Sequence, residues 1–295
     1  MKKRIFKGCG TALVTPMKDD YSVDYDALKV LVERQVAAGV DALIVCATTG
    51  EAPTLKIEEH LKVIEKVIEY ADGKTKVIAG TGSNDTLHSV ETSKSSKKLG
   101  ADGILSVTPY YNKPTGAGLI KHFNYIADHV DLPLIVYNVP SRTGVSITPE
   151  VYRELAKHPN IVATKEASGN LALAAKIRAV CGDELDIYSG NDDVTVPLLS
   201  LGGIGTISVL SNIVPSEVCE MCRAYFEGDT KRAAELQIKY MGFIDALFCE
   251  TNPIMAKEAL NMMGLIEGGI RMPLVRASEE HKKYISGELE KLGLI

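Results

Sequence analysis

Ile161-Val162-Ala163-Thr164, followed at once by Lys165-Glu166-Ala167-Ser168-Gly169-Asn170, is the stretch on which the fold turns. The first four residues are apolar or β-branched and too few for a helix. Such a run reads as a strand buried on both faces, and strands of that kind belong to parallel sheets. A lysine at its end sits where the strand leaves the core, and its ammonium must be solvated, paired or used. Burial disfavours the charged form of an amine, and a neutral amine is what attack on a carbonyl needs. A lysine that merely snorkels to water would look the same in isolation, so the rest of the chain has to decide.

Working outward, short apolar runs of the same type recur at Thr11–Val14, Ala42–Cys46, Lys76–Ala79, Gly103–Val107, Pro133–Tyr137, Asp186–Ser189 and Gly205–Ser208. Helical patterns lie between them. Asp24–Ala38 and Ile57–Tyr70 carry apolar residues at helical spacing, and further helices are predicted at 86–98, 118–128, 149–157, 171–180, 194–200 and 215–226. Asp85 and Thr148 are predicted caps. Eight strand–helix units imply a closed (β/α)8 TIM barrel. An open doubly wound sheet would carry a Gly-rich phosphate turn after its first strand, and this chain has Thr15-Pro16-Met17-Lys18 there. After Gly228 only helices are predicted, at 229–247, 253–263 and 278–292, with Pro253 at a first helical position. The expected division is a catalytic barrel over 1–226 and a C-terminal helical domain over 227–295.

The chain has 295 residues, 24% charged, with a formal net charge of -5 and no basic run longer than Lys2-Lys3-Arg4, which argues against a nucleic-acid partner. Six scattered cysteines suggest reduced thiols, with no zinc-like spacing. Residues 1–10 show no signal-peptide pattern. Val194 to Ser216 is uncharged, but Pro197, Pro215, three glycines and Asn212 interrupt it, which favours a short helix, a turn and a buried strand over a membrane span. The expectation is a cytoplasmic protein without membrane segments.

In a barrel, catalytic groups gather where strands end. Those ends carry Thr48-Thr49-Gly50-Glu51, Gly82-Ser83-Asn84, Thr108-Pro109-Tyr110-Tyr111, Tyr137 through Gly144, Lys165-Glu166, Gly190-Asn191-Asp192 and Ser211-Asn212. They are rich in hydroxyls and lack histidine. All six histidines fall in predicted helices or at their ends, so covalent lysine chemistry is favoured over metal chemistry. The parts suit a Schiff-base enzyme. Lys165 is the nucleophile and Tyr137, one strand over, a proton shuttle. Thr48 and Thr49 can orient that phenol or, with backbone N–H groups, hold a small carboxylate. The planar fork of Arg142 can hold a second carboxylate. Each residue taken alone could be a core or loop residue; their joint placement at one end of the barrel argues otherwise.

These segments, with Gly8-Cys9-Gly10-Thr11 and Val107-Thr108-Pro109-Tyr110-Tyr111, resemble the N-acetylneuraminate lyase/dihydrodipicolinate synthase family of pyruvate-dependent class I barrel aldolases along nearly the whole chain. The likeness is nearest to members that condense pyruvate with L-aspartate 4-semialdehyde on the route to lysine. It implies that Lys165 forms an imine with pyruvate and that Tyr137, Thr49 and Tyr111 relay protons, Tyr111 reaching in from a neighbouring subunit. It further implies that Thr48 and Thr49 hold the pyruvate carboxylate, that Arg142 holds the aldehyde's carboxylate, and that Gly190 and Ile207 line the pocket. It implies no organic cofactor, no metal, and a homotetramer built as a dimer of dimers. A sialic-acid or keto-sugar-acid lyase of the same family would share Lys165 and Tyr137 without needing Arg142.

Three positions depart from the family pattern. Ala47 stands where glycine is usual, which matters only if that position needs positive φ. Of the family's lysine-binding cleft, Ala52, Leu55, His60, Asn84 and Tyr110 match. Ile57 and His88 replace a histidine and a glutamate, so a cationic lysine ligand would lose a counter-charge. The resemblance therefore implies weak or absent lysine feedback. Activity titrated with L-lysine should stay flat, and inhibition at low concentration would refute this.

Overall fold

The eight strands form one closed parallel barrel in the computed structural model, which describes residues 2 and 4–295. In chain order they are β1 (Gly8–Ala12), β2 (Ala42–Val45), β3 (Lys76–Gly80), β4 (Gly103–Val107), β5 (Leu134–Asn138), β6 (Ile161–Glu166), β7 (Asp186–Ser189) and β8 (Gly205–Ser208). Each strand pairs with the next, and β8 returns to β1. Around them run α1 (Tyr25–Ala37), α2 (Ile57–Ala71), α3 (Thr86–Leu99), α4 (Gly116–His129), α5 (Pro140–Thr143), α6 (Pro149–Leu155), α7 (Leu171–Cys181), α8 (Thr195–Ser200) and α9 (Pro215–Phe226). Four helices follow: α10 (Thr230–Lys239), α11 (Met241–Phe248), α12 (Ile254–Met262) and α13 (Glu279–Lys291).

Local chemistry sets the helix starts. The side chains of Asp24, Asp85, Thr148 and Asn170 each accept hydrogen bonds from backbone N–H groups of the first turn, and such caps each contribute about 1 kcal/mol. Apolar side chains of the strands divide between the two faces. Ile44, Ile78, Leu105, Ile135, Ala163 and Ile207 fall in one cluster, the filling of the barrel. Others, such as Leu43, Val77, Val136 and Ile187, pack against the helices. The barrel is thus a packed core, and chemistry is confined to its rim.

Several boundaries differ from the sequence reading. The first strand starts three residues earlier than the expected Thr11–Val14 and ends two residues earlier. Its glycines are what closes the barrel: Gly8 pairs with Gly205, where a Cβ on Gly205 would sit 2.1 Å from the Gly8 carbonyl oxygen. Lys165 and Glu166 lie inside β6, because both still pair with β5 and β7. The helix expected over 229–247 breaks at the buried Tyr240, whose backbone leaves the helical region (φ -95, ψ 1) between α10 and α11. Pro253 precedes α12 as its cap residue, one position before the expected one. The one-turn helix α5 was not expected.

Residues 194–216 form α8, β8 and the turns around them, and among the described residues no helix is long and apolar enough to cross a membrane. All six cysteines are free thiols.

Candidate active site

Lys165 is 4% exposed and faces the barrel axis, its Nζ 4.4 Å from the centroid of the Tyr137 ring. The two residues are direct partners in the β5–β6 register. Strand alternation sends the neighbouring Glu166 to the opposite face. There its carboxylate accepts from Asn138 Nδ2 at 2.9 Å, the Tyr152 hydroxyl at 3.2 Å and the Ser168 backbone N–H at 2.8 Å. Glu166 therefore anchors the strand end from behind while Lys165 points toward the barrel axis. That the lysine is followed by a buried, fully engaged carboxylate explains why a polar pair can end a core strand.

Gly190 completes the wall beside the lysine. Its N–H donates to the Glu166 carbonyl at 2.7 Å. A Cβ there would lie 2.6 Å from the Ala167 Cβ and 3.1 Å from Lys165 Cε. Any larger residue would push the lysine stem aside, so the expected pocket role of Gly190 has a steric basis. Ile207 is fully buried in the same inner cluster as Tyr137 and Ala163. Close by, the carboxyl of Asp192 is buried and accepts from Ser208 Oγ and from the Val209 and Leu210 N–H groups. Burial pushes its pKa up, and the hydrogen bonds and the charge of Lys165 act the other way.

A cavity of about 520 Å³ opens above this floor, lined among others by Thr48, Tyr137, Val139, Arg142, Thr143, Thr251 and Asn252. Lys165 and Thr49 are not among its lining residues; Lys165 adjoins the lining through Tyr137. The Thr48–Glu51 turn is closed by the Glu51 N–H to the Thr48 carbonyl, 3.1 Å, and braced by Thr15 Oγ1 donating to the Gly50 carbonyl at 2.7 Å. Ala47 is not in the left-handed region; the neighbouring Cys46 is, at φ +53. Alanine for the family's glycine is therefore accommodated without backbone strain. Arg142 sits on α5, held by Thr143, whose Oγ1 donates to Val139 or Val145 carbonyls and accepts from Thr108 Oγ1 at 3.1 Å. One guanidinium nitrogen of Arg142 donates to the Asn252 carbonyl at 3.2 Å.

Asn252 was absent from the sequence reading, which treated Thr251-Asn252 only as a lead into a helix. Its Nδ2 donates to Thr49 Oγ1 at 3.0 Å. Five residues further on, Lys257 of α12 forms a buried ion pair with Glu51, Nζ to Oε1 at 2.5 Å. No local signal links residues some 200 positions apart; both contacts are products of the fold. No hydrogen bond joins Thr49 to Tyr137 in this geometry.

Tyr111, the expected third relay residue, is 89% exposed with φ +69 and is not among the cavity-lining residues. Within one chain the structure does not bring it to Lys165. The cleft residues Ala52, Leu55, Ile57, His60, His88 and Tyr110 line the same continuous cavity. Asn84 lies outside that lining, its carbonyl accepting from Asn112. His60 Nε2 is 2.9 Å from the Gly80 carbonyl, and burial lowers its pKa, so it is a neutral donor at pH 7. Among the described residues no group of three or more His, Cys, Asp or Glu side chains is placed to hold a metal ion.

A model described as the dihydrodipicolinate synthetase family matches residues 5–292. The chain is 52% identical over 290 residues to the 4-hydroxy-tetrahydrodipicolinate synthase of Caldicellulosiruptor bescii, covering 98% of both chains. Among solved structures it is similar to dihydrodipicolinate synthase from Thermotoga maritima, with a TM-score of 0.97, 43% identity and coverage of 99% of this chain and 100% of that one. It is also similar to that from Aquifex aeolicus, with a TM-score of 0.95, 45% identity and coverage of 98% and 99%. With the family model spanning the barrel and the helices behind it, and relatives matching end to end, the chain belongs to the dihydrodipicolinate synthetase family.

Proposed function

We propose that this enzyme condenses pyruvate with L-aspartate 4-semialdehyde to 4-hydroxy-tetrahydrodipicolinate, a step of lysine (diaminopimelate) biosynthesis. The observation that carries the reading is Lys165, buried at the barrel rim against Tyr137, which itself lines a cavity together with Thr48 and Arg142.

The Lys165 amine attacks the pyruvate carbonyl carbon, giving a carbinolamine. Protonation of its hydroxyl expels water and leaves an imine. Loss of a methyl proton turns the imine into an enamine, whose carbon bonds to the aldehyde carbon as the aldehyde oxygen takes a proton. The amine carried by the second substrate then displaces Lys165 and closes the ring. Tyr137, Thr49 and a partner subunit's tyrosine at position 111 relay the protons. Thr48, Thr49 and backbone N–H groups hold the pyruvate carboxylate, and Arg142 holds that of the aldehyde.

No cofactor is needed, since the lysine itself supplies the electron sink. The exposed Tyr111 fits a role in a neighbour's site, so we place the enzyme in a cytoplasmic homotetramer. We keep residues 1–226 as the catalytic barrel, 227–295 as the helical domain, and Ala52, Leu55, His60, Asn84, His88 and Tyr110 as a regulatory cleft.

Borohydride added to the protein with pyruvate, followed by intact-mass and peptide analysis, tests the chemistry. A reduced pyruvyl adduct should map to Lys165, and a folded protein without an adduct would overturn the reading. Arg142→Ala tests the second substrate. A hydrogen bond to a charged group contributes about 1.5–3 kcal/mol. KM for the semialdehyde should therefore rise roughly 10- to 100-fold while pyruvate trapping persists. Unchanged semialdehyde kinetics would point to a sugar-acid lyase instead.

A further inference from the structure

The geometry points to Asn138 and Glu166 as a positioning pair: bonded to each other on the outer face of the barrel, their side chains lock the register that sets Lys165 beside Tyr137 on the inner face. This rests on the function proposed above and adds to its machinery two residues that do not line the cavity.

The need for a lock is visible in the sheet. The β5–β6 ladder slips by one residue between Leu134 and Ile135, since Leu134 pairs with Ile161 but Ile135 with Ala163. The register that places Tyr137 opposite Lys165 is therefore set only beyond the slip. A strand displaced by one residue turns every side chain to the other face, which would carry Lys165 out of the barrel and Glu166 into it. The last rung of the ladder, directly after the Tyr137–Lys165 rung, pairs Asn138 with Glu166. There Asn138 Nδ2 donates to Glu166 Oε2 at 2.9 Å, with both residues buried.

Each member is also held on its own side. Asn138 Oδ1 accepts from the Ile147 N–H at 3.1 Å, which fixes the amide with its nitrogen toward Glu166. Glu166 accepts in addition from the Ser168 N–H and the Tyr152 hydroxyl. Burial and the Glu166 charge push the Tyr152 pKa up, so the phenol remains a donor. A slip of either strand would strip a buried carboxylate of these donors, and an unsatisfied buried charge is costly. The outer face is thus satisfied in one register, and Tyr137 and Lys165 follow because they are the preceding residues on the same two strands.

Reversing the bridge tests the assignment. Asn138→Asp keeps the shape and the Ile147 bond but sets a second acceptor against Glu166. At saturating pyruvate, its rate of borohydride-trapped imine formation should fall about 10- to 100-fold, the scale of loss when a reacting group is misplaced by about 1 Å. Adding Glu166→Gln returns a donor to the rung with the polarity exchanged, and trapping should recover to within about threefold of wild type. A reversed pair as slow as the single variant, or a single variant as fast as wild type, overturns the proposal. Should Asn138→Asp not fold, Asn138→Ser, too short to span the rung, carries the same expected loss.

Tyr152→Phe separates positioning from general loosening. It removes a donor from the same buried carboxylate without breaking the rung. The thermal midpoint should fall, while trapping stays near the wild-type rate. A trapping loss as large as that of Asn138→Asp would show that any lost buried bond slows the chemistry, and would refute the assignment. Trapping on wild type runs in parallel. Absence of a wild-type adduct is failure of the proposed function, whereas an adduct with an unrescued reversed pair is failure of this inference alone.

Discussion

Lys165→Met should abolish turnover while leaving the protein folded. Methionine matches the stem of lysine in length and tolerates irregular apolar surroundings, and the site is 4% exposed against the face of Tyr137. Removing the amine takes away the group proposed to form the imine. Residues that act as a unit with a nucleophile lose their effect when it is gone, so Tyr137 and Thr49 cannot compensate. The expected fall in kcat is about 10⁴-fold or more, on the order of 5 kcal/mol of barrier. The thermal midpoint should hold or rise, because a buried amine has been replaced by an apolar chain. Initial rates at saturating substrates and a melting curve on the same preparation check both halves. Turnover above about 1% of wild type would mean that another group carries the chemistry.

Lys257→Met should be the most damaging single change to stability. The Lys257–Glu51 pair is buried on both sides, each side chain 2% exposed. Among the described residues the Glu51 carboxylate has one further partner, the Arg271 N–H at 3.2 Å from Oε2. Removing the lysine strands a carboxylate in the interior, and breaking such a pair costs about 3–5 kcal/mol. Replacing both members by neutral groups, with Glu51→Gln added to Lys257→Met, should recover most of that loss, since the pair's own net contribution is small once desolvation is counted. Denaturant unfolding of the two variants measures the difference. Equal stability of the single and double variants would show that the pair is not the source. Activity adds a second reading, because the Glu51 N–H closes the turn that carries Thr48 and Thr49.

The eight strand–helix units were legible because each strand is a short β-branched run, and the periodicity changes cleanly into helix. Lys165, Tyr137, Arg142 and the Thr48-Thr49 turn were legible because a barrel converts position along a strand into position at the rim. Gly190 became intelligible only through the Cβ it lacks. Where the reading slipped, long-range contacts had overridden local signals. The glycines of β1 were left out of the expected strand, and their place in it comes from β8 closing against them. Tyr240 breaks a pattern that is helical on both sides. Asn252 and Lys257 reach back across about 200 residues to Thr49 and Glu51, and nothing in their neighbours announces it. Tyr111 was named from the resemblance, and a strained, exposed tyrosine on one chain is consistent with a partner that uses it.

The grip of α12 and the segment before it on the rim has a consequence for modularity. Thr49 with Asn252, Glu51 with Lys257, and Arg142 with the carbonyl at 252 are three clasps between the strand-loop rim and the trailing helices. A chimaera that exchanged the helices behind residue 226 between two relatives would inherit half of each clasp from each parent. The seam that looks natural in the order of elements is therefore a poor crossover point, and the rim loops and the trailing helices form one unit of exchange.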